Sequence, residues 1–286
     1  QRQMCIRDST YSIIGVVYMK DNYYELDSNQ EEEAPAEKKS VDRVVTWKAI
    51  VIFLLGLIGL SLIYTLIYSI SSAFVTLDQE LLETNPAKYY RVDGILQFVT
   101  YMVGLGIAVA IIAVPTVKQF TVIFEKFKDA KVYTNGLVIG IVMLFAQSVY
   151  SIIITLIFGE VDSNANQSAL VEMTKRAPVL LFLTTVVLAP LFEEIVYRYS
   201  LFGVLHKKNR YLAYIVSLIV FGLIHFDFGS FSDWATLKVE LLNLPAYLIS
   251  GGLLCYAYEK NDSLIAPITA HATNNLVAFI QILIYY

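Results

Sequence analysis

The feature that most constrains this chain is the recurrence of apolar runs close to twenty residues long. A bilayer's hydrocarbon core is about 30 Å thick, so a crossing helix needs about 20 predominantly apolar residues. Seven stretches meet or approach that length: 49–77, 94–115, 136–158, 178–205, 211–228, 241–258 and 263–284. The fifth and sixth are short and their ends are soft. Composition agrees. The 286 residues are 57% hydrophobic and 16% charged, against about 45–50% and about 25% in a soluble domain. The expected fold is therefore an all-α polytopic membrane protein with about seven transmembrane helices. The net charge of −4 resides in tails and loops and gives no reason to expect a nucleic-acid partner. Cys5 and Cys255 suggest neither a disulfide framework nor a metal knuckle.

Organisation along the chain is uneven. The opening "QRQMCIRDS" fits nothing after it, and Met4 to Ser9 can be encoded by a stretch that looks like the transposon end used in sequencing libraries. Residues 1–9 are therefore read as an artefact and set aside from fold reasoning, which leaves the native N-terminus open. Residues 10–46 read as a polar cytoplasmic tail, with "SNQEEEAPAEKKS" expected to be disordered or loosely ordered. Its apolar patch "YSIIGVVYM" (11–19) is too short to span and reads as interfacial or as a remnant. Residues 47–177 hold three N-terminal spans, and residues 178–286 hold the remaining four. In the loop 116–131, Val117, Phe120, Ile123, Phe124 and Phe127 lie at helical spacing opposite lysines. That pattern suits a helix in the interface, and equally an extension of the second span.

Lys and Arg orient the spans. Lys38, Lys39, Arg43 and Lys48 precede the first, whereas Lys88 and Arg91 alone follow it. Lys118, Lys126, Lys128 and Lys131 come next, then Lys175 and Arg176, then Lys207, Lys208 and Arg210. The richer loops alternate, which puts the N-terminus in the cytoplasm and the C-terminus outside. Lys238 and Lys260 tie the last two loops, so the alternation fades there.

The fourth run, "VLAPLFEEIVYRYSLFGVL", carries Glu193, Glu194 and Arg198 inside an apolar segment. Each such charge near a helix centre costs about 2.5–3.5 kcal/mol, while an apolar residue returns about 0.3–0.6. The helix is tolerable if its charged face points into the bundle or if the charges sit at the headgroups. Lys207 and Lys208 nearby keep the second option open, although paired acids are an odd marker for a cytoplasmic helix end. Glu194 and Arg198 are four residues apart and share a face, so they can neutralise one another. Glu193 lies about 100° around the helix and is left without that partner, as a general base in an apolar setting would be. Pro190, one turn earlier, would kink the helix or free a backbone carbonyl.

The chain has three histidines. His206 falls in a basic loop and reads as ordinary surface, but His225 and His271 fall inside expected spans. A lone intramembrane histidine is as readily a structural hydrogen-bonder as a ligand. Two of them beside an unpaired glutamate point to a site. Asn274 and Asn275 share the face of His271, where an asparagine is also common interhelical glue.

These residues resemble the CAAX-protease and bacteriocin-processing (CPBP, or Abi) family of intramembrane glutamic proteases. The pattern is Glu193-Glu194-…-Arg198, then Phe221-…-His225, then His271-…-Asn275, in the family's order on successive helices. It covers roughly 178–284, and its specificity lies in the ordered triple rather than in any single motif. The resemblance implies a metal-independent endopeptidase with its catalytic core in the C-terminal four helices, needing no cofactor. Glu193, helped by His225, would activate a water against a peptide bond of a membrane-associated substrate. His271 and Asn275 would stabilise the oxyanion, with Glu194 and Arg198 as the supporting pair. It further implies a bacterial inner-membrane protein. Prenylated CAAX proteins are substrates of eukaryotic relatives, and a bacterial cell is not expected to offer them.

Three other readings remain at this point. Glu193, His225 and His271 form a His₂Glu set of the kind catalytic zinc uses, though no His-Glu-x-x-His helix is present. The chain can be a non-catalytic immunity or scaffold protein of the same family. Intramembrane Glu and His also build proton relays in transporters, but no internal repeat is visible. One tension is geometric: by residue count, Glu193 and His271 fall nearer the cytoplasm, and His225 nearer the outside.

Overall fold

The computed structural model describes residues 44–114 and 126–285, and the backbone of two short strands. The strands, β1 (Val16–Met19) and β2 (Asn22–Glu25), form an antiparallel hairpin with Val16 opposite Glu25 and Met19 opposite Asn22. The first strand falls in the patch read as interfacial or a remnant and the second at the start of the polar tail, where valine and tyrosine, both strand formers, flank a two-residue connection. The proposed artefact, the acidic tract, and all of the interfacial stripe except Phe127 lie outside the described residues.

From Val44 onward the described chain is helical. Its helices are α1 (Thr46–Ser71), α2 (Gln79–Thr84), α3 (Pro86–Ala113), α4 (Ala130–Phe158), α5 (Ala165–Arg176), α6 (Pro178–His206), α7 (Arg210–Leu223), α8 (Trp234–Asn261) and α9 (Ile265–Tyr285). Among the described residues, six of these are long and apolar enough to cross a membrane: α1, α3, α4, α6, α8 and α9. Helix starts follow side-chain caps that relieve orphan backbone N–H groups. Asp78, Asn85, Asp129, Asn164, Asn209 and Asp233 each accept from a backbone N–H of the first turn. Pro86 and Pro178 open α3 and α6 at positions that need no donor.

The fifth expected span is corrected. Its helix, α7, has 14 residues and stops at Leu223, followed by a turn and a short 3₁₀ segment, Phe228–Ser232. At the end of α7 the backbone bonds tighten to His225 N–Gly222 O (3.1 Å) and Phe226 N–Leu223 O (3.2 Å), and Asp227 then caps the 3₁₀ segment by accepting from Gly229 N at 2.8 Å. The sixth span is longer than expected and starts at Trp234. Lys238 and Glu240 hid its first turns from a hydropathy reading. Glu240 is buried, accepting from the backbone N–H groups of Ala165 (3.0 Å) and Asp227 (3.3 Å), so its charge is compensated.

Helix α6 is the centre of the bundle. Its most apolar stretch is 56% buried, whereas the corresponding stretches of the other spans are 6–28% buried. Helices α4 and α9 approach closely through small residues. A Cβ on Gly136 would lie 2.6 Å from Ala266 O, and one on Gly140 would lie 2.8 Å from Ala270 O. Without a hydrophobic drive between helices in lipid, such small-residue contacts are what hold spans together. Outward side chains such as Leu66, Phe145 and Leu156 remain exposed, as a lipid-facing surface requires.

Polar ties close both ends. At one end Glu259 accepts from Arg210 Nε (2.6 Å) and the Tyr214 hydroxyl (2.7 Å) and contacts His206 Nε2 (2.9 Å), joining α6, α7 and α8. At the same end Lys126 donates to Asn261 O and Asn135 to Asn261 Oδ1, joining α4 and the turn before it to α8. At the other end Asn164 and Asn166 reach the Tyr247 hydroxyl.

Candidate active site

The site is organised by irregularities in α6. Two stretches of this helix, Phe182–Leu188 and Ile195–Phe202, are wound as π-helix, with Ala189–Glu194 as regular helix between them. Wide turns of this kind are frequent at functional sites. Pro190 explains part of the first. In π geometry the N–H at position 190 would bond the carbonyl five residues earlier, at Thr185, and proline has none. Asn275 Nδ2 from α9 donates to that carbonyl instead, at 2.8 Å. The carbonyl freed by proline therefore docks α9 against α6.

Glu194 and Arg198 form the expected pair, Oε1 to Nη1 at 3.1 Å, with both side chains essentially inaccessible. The guanidinium also lies 4.4 Å from the Phe221 ring and reaches toward Gly251 O at 3.4 Å. Glu194 does more than neutralise its neighbour. Its Oε1 also binds His271 Nδ1 at 2.8 Å, which aims the ring's Nε2 at Glu193. That nitrogen lies 3.9 Å from Glu193 Oε2. Because a carboxylate only accepts, His271 Nδ1 must carry a hydrogen, and Nε2 donates when the ring is an imidazolium.

Glu193 sits on the adjoining face. Its Oε1 accepts from the Tyr101 hydroxyl at 3.2 Å, and the Tyr101 ring meets Phe192 edge-on. Its Oε2 is buried and has no hydrogen-bond partner among the described residues. His225 lies just past the end of α7. Its Nδ1 is 2.8 Å from Phe221 O, which assigns the hydrogen to Nδ1 and leaves the lone pair on Nε2. The Tyr247 ring stacks on it at 4.5 Å and 16°.

The Phe221 ring joins the two halves, lying 5.0 Å from the His225 ring and 5.9 Å from the His271 ring. His225 is within Coulombic reach of both Glu193 and His271. The depth mismatch expected from the sequence disappears because α7 is short. The rise from Glu193 to the end of α6 and the rise of α7 to Leu223 are each about 20 Å at 1.5 Å per residue. Glu193 and the end of α7 thus return to one level from the shared turn at Lys207–Arg210.

Glu193, Glu194, Arg198 and His271 are therefore in direct contact or close to it, and His225 joins them through Phe221. Asn275 lies one turn beyond His271, with one amide hydrogen committed to Thr185. Among the described residues, no three His, Cys, Asp or Glu side chains converge to hold a metal ion. Sequence reasoning missed Tyr101 and Tyr247. Tyr101 had a legible signal: Asp93, Gln97 and Tyr101 recur every four residues through an apolar span.

Fold and site together define a polytopic membrane protein whose described chain is helical from Val44 onward and holds a buried carboxylate–histidine cluster. Residues 175–277 match the family described as "Type II CAAX prenyl endopeptidase Rce1-like", and every motif residue falls inside that match. The C-terminal part of this chain therefore carries that family's signature, as its motifs indicated. The chain is 31% identical over 152 residues to the membrane-embedded CAAX protease MroQ of Staphylococcus aureus (strain USA300), covering 50% of this chain and 56% of that protein. It is 27% identical over 141 residues to the putative membrane peptidase YdiL of Bacillus subtilis (strain 168), covering 49% and 52%. With the UPF0177 protein YvdC of Lactococcus lactis (strain IL1403), identity is 30% over 112 residues, covering 38% and 43%. The aligned region spans about half the length of these relatives. No solved structure matches the chain.

Proposed function

We propose that the protein is an intramembrane endopeptidase that cleaves a peptide bond of a membrane-associated substrate with a water activated by Glu193. The observation that carries this reading is the unpartnered, buried Glu193 Oε2, set 3.9 Å from a histidine whose other nitrogen is held by Glu194. Water on Glu193 Oε2 gives its proton to the carboxylate as its oxygen attacks the carbonyl carbon. The C–O⁻ that forms needs a donor, and protonated His271 offers Nε2–H beside it. Asn275 contributes its remaining amide hydrogen. With His271 protonated, Glu193, Glu194, Arg198 and His271 sum to zero charge, the arrangement a low-dielectric interior tolerates best. The C–N bond then breaks as Glu193 returns the proton to the leaving nitrogen. His225, with its lone pair on Nε2, assists Glu193 in the earlier step by drawing on the attacking water, and Tyr247 fixes its plane.

The Rce1-like match and the names of the relatives support peptide hydrolysis over the non-catalytic reading. The lysine-rich loops and the bacterial relatives support a bacterial cell membrane with the N-terminus cytoplasmic. Comparative proteomics of membrane peptides tests the activity. Fragments present with wild type and absent with Glu193→Ala support it. Identical peptide sets in the two strains, with both proteins present at equal levels, reject it.

A further inference from the structure

We propose that a cleft between α1 and α3 is the substrate-binding subsite of the Glu193 centre, and that it takes an extended peptide segment bearing a cationic side chain. The inference rests on the hydrolytic reading for what happens at Glu193, but not for what the cleft binds. The cleft has a volume of about 400 Å³ and is lined by Tyr64, Asp93, Gln97, Thr100 and Tyr101, among others. Tyr101 belongs to both places, since its hydroxyl donates to Glu193. One wall residue of the cleft is therefore hydrogen-bonded to the carboxylate assigned to chemistry.

Its chemistry is unusual for a membrane span. Asp93 accepts from the Tyr64 hydroxyl at 2.6 Å and from Gln97 Nε2 at 2.9 Å. These two bonds, from α1 and from α3 itself, fix the carboxylate in the cleft wall. Among the described residues Asp93 has no cationic partner, unlike Glu194 at the same centre. A carboxylate inside a span is expensive and is usually paired or functional. The hydroxyl of Thr100 is buried and without a hydrogen-bond partner. The wall thus presents one negative charge, which a bare interhelical contact does not need.

A peptide is the ligand these groups fit. A bond cannot be attacked while its segment is helical, and in hydrocarbon an unwound backbone must find polar partners. The stripe Asp93–Gln97–Tyr101 supplies them along about 12 Å of α3. An extended segment of about three or four residues spans that distance. The cationic side chain paired with Asp93 thus lies about three or four residues from the bond at Glu193.

Binding by the full-length Glu193→Gln protein in nanodiscs tests this without requiring catalysis. The probes are fluorescent, apolar membrane peptides identical except for a single Lys, Gln or Glu. The Lys probe is expected to bind about tenfold or more tightly than the Gln probe, and the Glu probe more weakly still. Asp93→Asn keeps a side chain able to accept from Tyr64, and it should erase the Lys preference, bringing Lys-probe binding down to that of the Gln probe. Asp93→Lys should invert the preference toward Glu. Equal binding of all three probes to the parent protein overturns the proposal, as does an Asp93→Asn variant that keeps the Lys preference. A variant that loses all three probes equally assigns Asp93 a structural role and also overturns it. Failure of wild type to cleave any peptide, with the Lys preference intact, rejects the hydrolytic reading and leaves the cleft standing.

Discussion

Helices α4 and α6 are equal in length, 29 residues each, and both are apolar enough to cross a membrane. Yet the apolar stretch of α4 is 17% buried and that of α6 is 56% buried. The difference follows from what each carries. Helix α4 offers glycines to one neighbour, α9, and leaves Phe145 and Leu156 toward lipid. Helix α6 carries Glu193, Glu194 and Arg198, whose charges have to be surrounded by protein. Hydropathy fixes that a helix crosses, and the buried charges fix which helix lies at the centre.

The largest expected break in that contrast comes from Arg198→Met. It leaves Glu194 charged, buried and short of its cation, and should cost about 3–5 kcal/mol of stability, measured as a lowered unfolding midpoint in nanodiscs. On α4, Gly140→Val places side-chain atoms against the Ala270 carbonyl, and backbone cannot give way cheaply. A loss of about 3 kcal/mol, near the top of the overpacking range, should appear in the same assay. A smaller effect is expected from Asn275→Ala, which leaves the Thr185 carbonyl without its donor and should cost about 1–2 kcal/mol. Phe145→Ala on the lipid face should change the midpoint by less than about 0.5 kcal/mol. If Phe145→Ala costs as much as Arg198→Met, the contrast between the two helices is wrong.

Much of this was legible in the residues. Seven apolar runs correspond to six long helices and the short α7, and the four-residue spacing of Glu194 and Arg198 announced their pair. The proline at 190 announced a freed carbonyl, and the structure identifies it as that of Thr185. Other features were hidden for identifiable reasons. After α7, Asp227 caps a short 3₁₀ segment through Gly229 N, a local feature that a hydropathy window averages away. The start of α8 was masked by Glu240, whose charge is offset by two backbone N–H groups, one at the start of α5 and one in the connection before α8. The bond from Glu194 to His271 joins residues far apart in sequence, and no local spacing encodes it. Tyr101 lies outside the matched segment, on a helix that the motif pattern does not include.

The two adjacent glutamates give the most direct test. Purified wild type, Glu193→Gln and Glu194→Gln are compared in proteoliposomes for cleavage of a membrane peptide that wild type cuts, and for unfolding midpoint. Glu193→Gln should keep the wild-type midpoint and lose about 10²–10⁴-fold in cleavage rate, the range for a removed general base. Glu194→Gln should lower the midpoint, because Arg198 and His271 both lose a charged partner. Wild-type cleavage by a folded Glu193→Gln protein would contradict the assignment of Glu193 as the base.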